Sequence, residues 1–373
     1  VQNGNKLQIQ SEFLNDDANP SNVRASVAYA NEVLRAGYGV QAFTDALPLL
    51  VDAEGKVNRT AFAQLTPEAY GSALQLGVEK GLIVAEGART FAATGMGGTG
   101  LYSFGQFVDA DATLRGQAST GASEAGIGSR GVFGGIGYGM EDGTRFGFFI
   151  GGLDSNQSLG ALGARTDGNS LLVGAYADLR LGDIGLHGLL ARDGGDVDTK
   201  RTIASGDTTS ARYDLSSWVA DVSADYQAQI GAVAVATKLG ITYVHTARGA
   251  VAAERGGGDL GLSVSAGSTT NWFADASLAL SGTFDLGGMA LRPYAELGVR
   301  QLLNDGTTQV SGKFVGAGSG IVVDGVERAD TAGRYGLGFG LDLADGVQLQ
   351  LSYSGEFSGS RRNSVMGGLS LRF

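Results

Sequence analysis

NSVMGGLSLRF, residues 363–373, alternates along its whole length: Val365, Gly367, Leu369, Leu371 and Phe373 share one face, and Ser364, Met366, Gly368, Ser370 and Arg372 the other. Arg362 extends the second face by one step. Successive side chains of a strand point to opposite sides, so one face suits hydrocarbon and the other suits water. A chain that ends on such a strand, with an aromatic last residue, reads as the closing strand of a transmembrane β-barrel.

Composition supports strands rather than helices as the spanning elements. Among 373 residues there are 63 glycines, four prolines and 17 % charged residues, and no apolar run reaches the roughly eighteen residues that a helical span requires. Cysteine is absent, which removes disulfide and thiolate-metal schemes. A formal net charge of −11 without a basic cluster argues against nucleic acid as a partner. Val1 to Gln10 lacks the charged start and apolar centre of a signal peptide, so the expectation is a trimmed C-terminal part of a longer precursor.

Two periods divide the chain, and they predict a helical unit over 1–100 and a barrel over 101–373. From about Asn22 to Thr90 apolar residues recur at helical steps: Val23, Val27, Ala30, Val33 and Leu34 form the first face, with short helices expected over 40–51 and 60–65. The longest helix is expected over 66–90, with Thr66 as cap and Pro67 at the first helical position, where its missing N–H costs nothing. Gly71, Ala73, Gly77, Gly81 and Ala85 keep that helix slim. Each glycine lowers helix propensity by roughly 1 kcal/mol, so their number points to tight confinement; an ordinary surface helix of a linker is the alternative.

Beyond Phe107 the period is two, and alternation with turn signals marks twelve strands, near 107–118, 128–141, 144–157, 168–181, 184–200, 210–228, 232–248, 266–285, 288–303, 330–344, 346–358 and 361–373. Alternate connections are short, such as Gly182-Asp183 and Asp345-Gly346. Most of the others are longer and polar, notably 249–265 and 304–329, read as solvated excursions; that asymmetry fits periplasmic turns against external loops. The inward face carries the charge: Asp109, Asp111, Lys238, Arg292, Glu296, Arg300, Glu356 and Arg372 are expected to line the lumen, with Asp221, Asp225 and Asp275. The face of the third strand stays open, because Phe148, Phe149 and Ile150 are consecutive. A soluble sandwich also alternates, but its core would have to bury these charges, at high cost.

Leu349 to Phe373, LQLSYSGEFSGSRRNSVMGGLSLRF, resembles the closing hairpin of the type V secretion autotransporter translocator; Leu291 to Val299, LRPYAELGV, resembles its ninth strand, and Gln64 to Ser72, QLTPEAYGS, the helix before the barrel. The resemblance implies a twelve-stranded barrel in the bacterial outer membrane with a helix in its pore, exporting and anchoring an N-terminal passenger. It implies membrane lipid, the outer-membrane assembly machinery, periplasmic chaperones and the linked passenger as partners. Val365, Gly367, Leu369, Leu371 and Phe373 resemble the signal that the assembly machinery reads. Some family members cut their passenger free inside the barrel with a lumenal Asp and a linker Asn; Asp109, Asp111, Asp221, Asp225 and Asp275 with Asn22, Asn31 or Asn58 are the candidates, although the paired asparagines of that reaction are missing. A stand-alone porin or adhesin barrel is the other alternative. No enzyme, cofactor or metal is otherwise expected. GMGGTG, residues 95–100, follows a helix and leads into a strand, the reverse of a dinucleotide site, and reads as a hinge; His187 and His245 lie far apart in sequence and form no ligand pair.

Deleting Phe373 is expected to lower the amount of inserted barrel sharply, scored as heat-modifiable protein in the membrane fraction. Unchanged yield removes the signal from this residue.

Overall fold

A computed structural model of the chain describes residues 2–3, 6–7, 12–94 and 98–373. Twelve antiparallel strands close on themselves. They are β1 Gly100–Leu114, β2 Ala125–Gly139, β3 Arg145–Leu159, β4 Ala164–Leu181, β5 Ile184–Thr202, β6 Thr208–Ile230, β7 Val233–Arg248, β8 Gly267–Gly282, β9 Met289–Leu302, β10 Thr331–Ala344, β11 Val347–Phe357 and β12 Arg361–Arg372. Each pairs with its sequence neighbour, and β12 closes on β1 from Arg361↔Thr113 to Arg372↔Tyr102. Closure removes the sheet edge, as it must where lipid offers no hydrogen bonds.

Among the described residues four helices precede the barrel: α1 Ser21–Arg35, α2 Val40–Leu50, α3 Arg59–Ala63 and α4 Glu68–Thr94. The first three bury Val27, Phe43, Leu50 and Phe62 in one core over the outer mouth. Asn58 caps α3, accepting from the backbone N–H groups of Thr60 and Ala61. α4 runs down the lumen, packing first on β5 to β7 on one side of the wall and then toward Phe133, Phe104 and Tyr102. Its glycines are placed by sterics. A Cβ on Gly71 would stand 2.5 Å from the Thr308 carbonyl oxygen, and one on Gly81 would stand 2.8 Å from Val244 and 3.0 Å from Val219. Gly77 faces Ser217 and Thr246 at similarly close range.

The outer wall is apolar through the middle, with Val132, Ile136, Phe148, Leu171, Val222 and Leu297 exposed. Aromatic pairs border this belt: Tyr243 and Trp272 at 4.8 Å on the loop side, Tyr138 and Phe146 at 6.2 Å on the turn side. Such girdles mark the two interfaces of a membrane barrel. No helix among the described residues is long and apolar enough to cross a membrane.

Several expectations change. β1 starts at Gly100 and ends at Leu114, not 107–118. Asp109 and Asp111 face outward, not into the lumen: they share parity with lipid-facing Phe107, while Val108, Ala110, Ala112 and Leu114 point inward and are buried. They sit above the apolar belt, where the outside is wet, and Asp109 pairs with outward Arg130 at 2.8 Å. Phe149 points inward against Phe133 at 5.9 Å, between outward Phe148 and Ile150; the face was illegible because lumen and lipid are both apolar at that height. The long loops are folded, since Leu262–Val264, Val310–Phe314 and Ile321–Val323 form a three-stranded sheet under the cap helices. Of the glycine hinge, Gly95, Met96 and Gly97 lie outside the described residues; Gly98 and Gly100 take φ of 114° and 116°, a region open to glycine.

Gly81→Leu is expected to destabilise the helix-filled barrel by about 1–3 kcal/mol, the usual cost of overpacking, and to raise planar-bilayer conductance as α4 is displaced. Wild-type conductance and melting from this variant would show that α4 has room to spare.

Candidate functional site: the helix-filled lumen

α4 carries Glu79, Lys80, Glu86 and Arg89 into the middle of the barrel, where water is scarce and each charge needs a partner. The wall and the 303–330 loop supply them. Lys80 Nζ lies 2.5 Å from Asp193, and Arg89 donates to Asp221 at 2.6 Å and to Asp275 at 2.9 Å. Glu79 accepts from Arg328, and Glu86 from Arg334. Behind them the wall is itself cross-linked: Arg300 bridges Asp275 at 2.8 Å and Glu356 at 2.6 Å, Arg362 reaches Glu356 at 2.9 Å, and Arg334 reaches Asp275 at 3.1 Å. Glu79, Glu86, Asp221, Asp275 and Glu356 thus oppose Arg89, Arg300, Arg328, Arg334 and Arg362, five of each sign. The belt is neutral as a whole, which lets it sit inside a membrane-embedded tube.

Below the belt α4 leans to one wall and leaves a cavity of about 160 Å³, lined by Arg180, His187, Asp225, Lys238, Tyr294 and Glu296 among others. Its charges are also met: Lys238 pairs with Glu296 at 2.8 Å, and His187 lies between Asp178 at 2.9 Å and Asp225 at 2.6 Å. Arg292 pairs with Asp342 at 2.6 Å and Arg372 with Asp345 at 3.3 Å at the turn-side rim.

Above the belt the lumen is closed by the cap. Glu254, from the 249–266 loop, accepts from Tyr70 of α4 at 2.6 Å, from Arg201 of β5 at 2.5 Å and from the Leu262 backbone N–H at 2.8 Å. Burial alone would raise its pKa, but the Arg201 guanidinium beside it holds the carboxyl below its ordinary value. Phe314 of the loop sheet stacks on Tyr29 of α1 at 5.0 Å and meets Phe43 of α2 at 5.8 Å. Asn22 exchanges two hydrogen bonds with the Asp324 backbone, and Ser72 accepts from Val326 N–H at 3.0 Å. At the head of α4, Glu68 accepts from Ser123 N–H at 2.6 Å, and burial pushes its carboxyl up to about 7.

The residues expected from sequence scatter over these three levels. Arg300, Glu356, Asp221 and Asp275 belong to the belt; Asp225, Lys238 and Glu296 to the cavity; Arg292 and Arg372 to the rim. Gly71, Ala73, Gly77, Gly81 and Ala85 lie on the buried pore helix. Val365, Leu369, Leu371 and Phe373 point outward, with Gly367 between them. The expected Asp and Asn of a cleavage site do not meet: α4 contains no Asn, while Asn22, Asn31 and Asn58 stand in the cap, bonded to Asp324, Phe13 and the start of α3. Sequence reading missed Glu79, Glu86, Arg89, Arg328 and Arg334. Arg334 was readable as an inward residue in register with Gly336 of the same strand, and Glu79 and Glu86, seven apart on a helix of small residues, share a face. Arg328 comes from a loop and carried no signal.

The sequence profile of the family described as "Autotransporter beta-domain" matches residues 104–354. The chain belongs to this family. The autotransporter translocator fold recurs in solved structures. The translocator domain of NalP from Neisseria meningitidis aligns at a TM-score of 0.67 and 18 % identity, covering 83 % of this chain and all of that one. The β-domain of Bordetella BrkA aligns at 0.54 and 17 % identity, over 74 % of this chain and 100 % of its own. The transport unit of AIDA-I from Escherichia coli gives 0.51 and 13 %, over 78 % and 97 %. No curated protein sequence matches the chain significantly. The chain is an outer-membrane translocator of the Gram-negative type, and passenger export is implied by the family.

Glu68 gives the cap a pH dependence. With its folded pKa raised to about 7, its protonated form favours the cap; that stability is full below the ordinary carboxylate range and is lost as pH rises through 7. Hydrogen-exchange protection over 12–65, taken relative to the intrinsic exchange rate at each pH, should therefore fall between pH 5 and about 8, and Glu68→Gln should flatten that profile; an equal fall in the variant assigns the dependence elsewhere.

Proposed function

We propose that α4 is the segment left in the pore when the passenger has crossed, and that it seals the translocator while keeping the passenger tethered. The observation that carries this reading is that Glu79, Lys80, Glu86 and Arg89 of α4 each meet an opposite charge from the wall or from the loop that enters it. A helix occupying the lumen by accident would leave some of them bare. We place the functional division near Gly100, with 1–100 as linker, cap and plug and 101–373 as the barrel that anchors and exports. The outward row of β12 ending at Phe373 serves as the contact for the assembly machinery, and chaperones hold the unfolded chain in the periplasm before insertion. Strand addition at an open edge is the chemistry by which such a segment is read.

The protein works as a transporter rather than an enzyme. A general base must reach the group it activates, whereas Asp221 and Asp275 are engaged by Arg89, Arg300 and Arg334, and no Asn of α4 stands beside them. The passenger accordingly stays covalently attached, and release would need a cut outside the lumen.

Two measurements test this. Removal of residues 1–90 should open a large, ohmic conductance in planar bilayers that the intact chain lacks. A reporter fused upstream should reach the cell surface as one uncut polypeptide with the barrel, equally in the wild type and in Asp221→Asn or Asp275→Asn variants. Unchanged conductance after truncation overturns the plug, and cleavage that either Asn variant abolishes overturns the non-enzymatic reading.

A further inference from the structure

The outer wall holds a second ordered feature, away from the lumen. Three outward cations above the lipid belt are neutralised by neighbouring carboxylates: Arg130 by Asp109 at 2.8 Å, Arg165 by Asp167 at 2.7 Å and Arg212 by Asp196 at 2.6 Å. Arg192 differs. It stands at the upper border of the belt, two residues beyond lipid-facing Leu190 on β5, and has no carboxylate within ion-pair distance among the described residues. Its guanidinium lies 5.3 Å from the centre of the Trp218 ring, its register partner on β6. The same cross-strand row continues to His245 of β7 and Thr270 of β8, which share a 2.8 Å hydrogen bond. A half-exposed tryptophan, an unpaired guanidinium and an imidazole therefore share one level of the outer interface.

Directly below this row, the lipid-facing wall is indented. Ala224, Ala274 and Ala276 form the floor of an open apolar crease, with Leu186, Val222 and Leu239 at its sides. Val222 lies four residues down β6 from Trp218, roughly 13 Å along the strand. Above the row stand Asp196 and Asp214, opposite one another on β5 and β6. An anion is thus excluded from above and drawn to the Arg192 level, while a hydrocarbon chain attached to it reaches down into the crease.

We propose that this face is a lipid site, in which Arg192 and Trp218 receive the phosphate of an acylated outer-leaflet lipid and the alanine crease receives one of its chains. A guanidinium pairs with phosphate by two parallel charge-assisted hydrogen bonds, and at a membrane interface the partly dehydrated setting strengthens them. The occupant is a phosphorylated lipid rather than a free phosphate, because the crease contributes nothing to a ligand without a chain. The site would fix the barrel's rotation and depth in the outer leaflet at the strands opposite the β1–β12 seam.

The test uses the full chain in detergent micelles carrying Trp272→Phe, so that Trp218 is the one remaining tryptophan of the two. Tryptophan emission is followed during titration with diphosphorylated lipid A and, separately, with the same lipid stripped of phosphate. The phosphorylated lipid is expected to act at concentrations about tenfold lower, the order of one charge-assisted contact. Arg192→Gln should abolish that preference, and Ala276→Phe, which fills the crease, should weaken both lipids alike. Equal action of the two lipids on the wild type, or a preference that survives Arg192→Gln, overturns the proposal. Heat modifiability checks that each variant is folded, and the Arg192→Gln arm stands even if Ala276→Phe fails to insert.

Discussion

Pairing of buried charge between a threaded helix and the wall around it is the constraint on which the rest of this translocator depends. A closed barrel satisfies its own backbone, but its lumen must still be filled, and what fills it here is charged. Removing one partner from a buried pair typically costs about 3–5 kcal/mol, a large share of a protein's net stability. The arrangement is therefore worth more as a register device than as a source of stability. α4 advances about 1.5 Å per residue, so a slip of one turn would carry Glu79, Lys80, Glu86 and Arg89 away from Arg328, Asp193, Arg334 and Asp221 together. One vertical position satisfies all four.

Slimness and charge act jointly. Four glycines in α4 cost helix propensity, roughly 1 kcal/mol apiece, and an isolated peptide of this composition would be a poor helix. Confinement offsets that loss, since at Gly71 and Gly81 even a methyl group would collide with the wall. The same closeness brings Arg89 within hydrogen-bond reach of Asp221, Asp275 and Thr242 on three different strands. Bulkier helix faces would hold the guanidinium away from these partners and leave buried charge uncompensated.

Much of this was legible in the sequence where one physical rule acted alone. Strict alternation, as in β8, β10 and β12, located strands and faces, because lipid on one side and a polar lumen on the other give opposite demands. Pro67 and Thr66 located the start of α4 to within two residues. Legibility failed where the two sides stop differing. Around Phe149 both are apolar, since Phe91 of α4 draws Phe104, Tyr102 and Tyr176 into an aromatic cluster in the lumen. At Asp109 and Asp111 both are candidates for charge, since the strand has already left the membrane. The folding of the 249–266 and 303–330 loops was hidden for another reason: their apolar residues are isolated in polar sequence, and only the cap helices, far away in the chain, bring them together.

The inversion along β1 explains how cap and barrel become one unit. In its lower half Phe107 meets lipid; above it Asp109 and Asp111 meet water, while on the inside Ala112 and Leu114 join Val27, Phe62 and Leu65 in the core beneath α1 to α3. The wall thus passes from a membrane protein, apolar outside, to a soluble one, apolar inside, within a few residues of a single strand. That transition gives the linker a hydrophobic surface to fold on at the point where it leaves the pore. Burial there contributes about 25 cal/mol per Å² of apolar surface, and it is gained only when α1 to α3 lie outside the membrane. Since α3 is joined to α4 by only the four residues 64–67, folding of the cap also sets the height at which α4 hangs, and with it the register of the charges below.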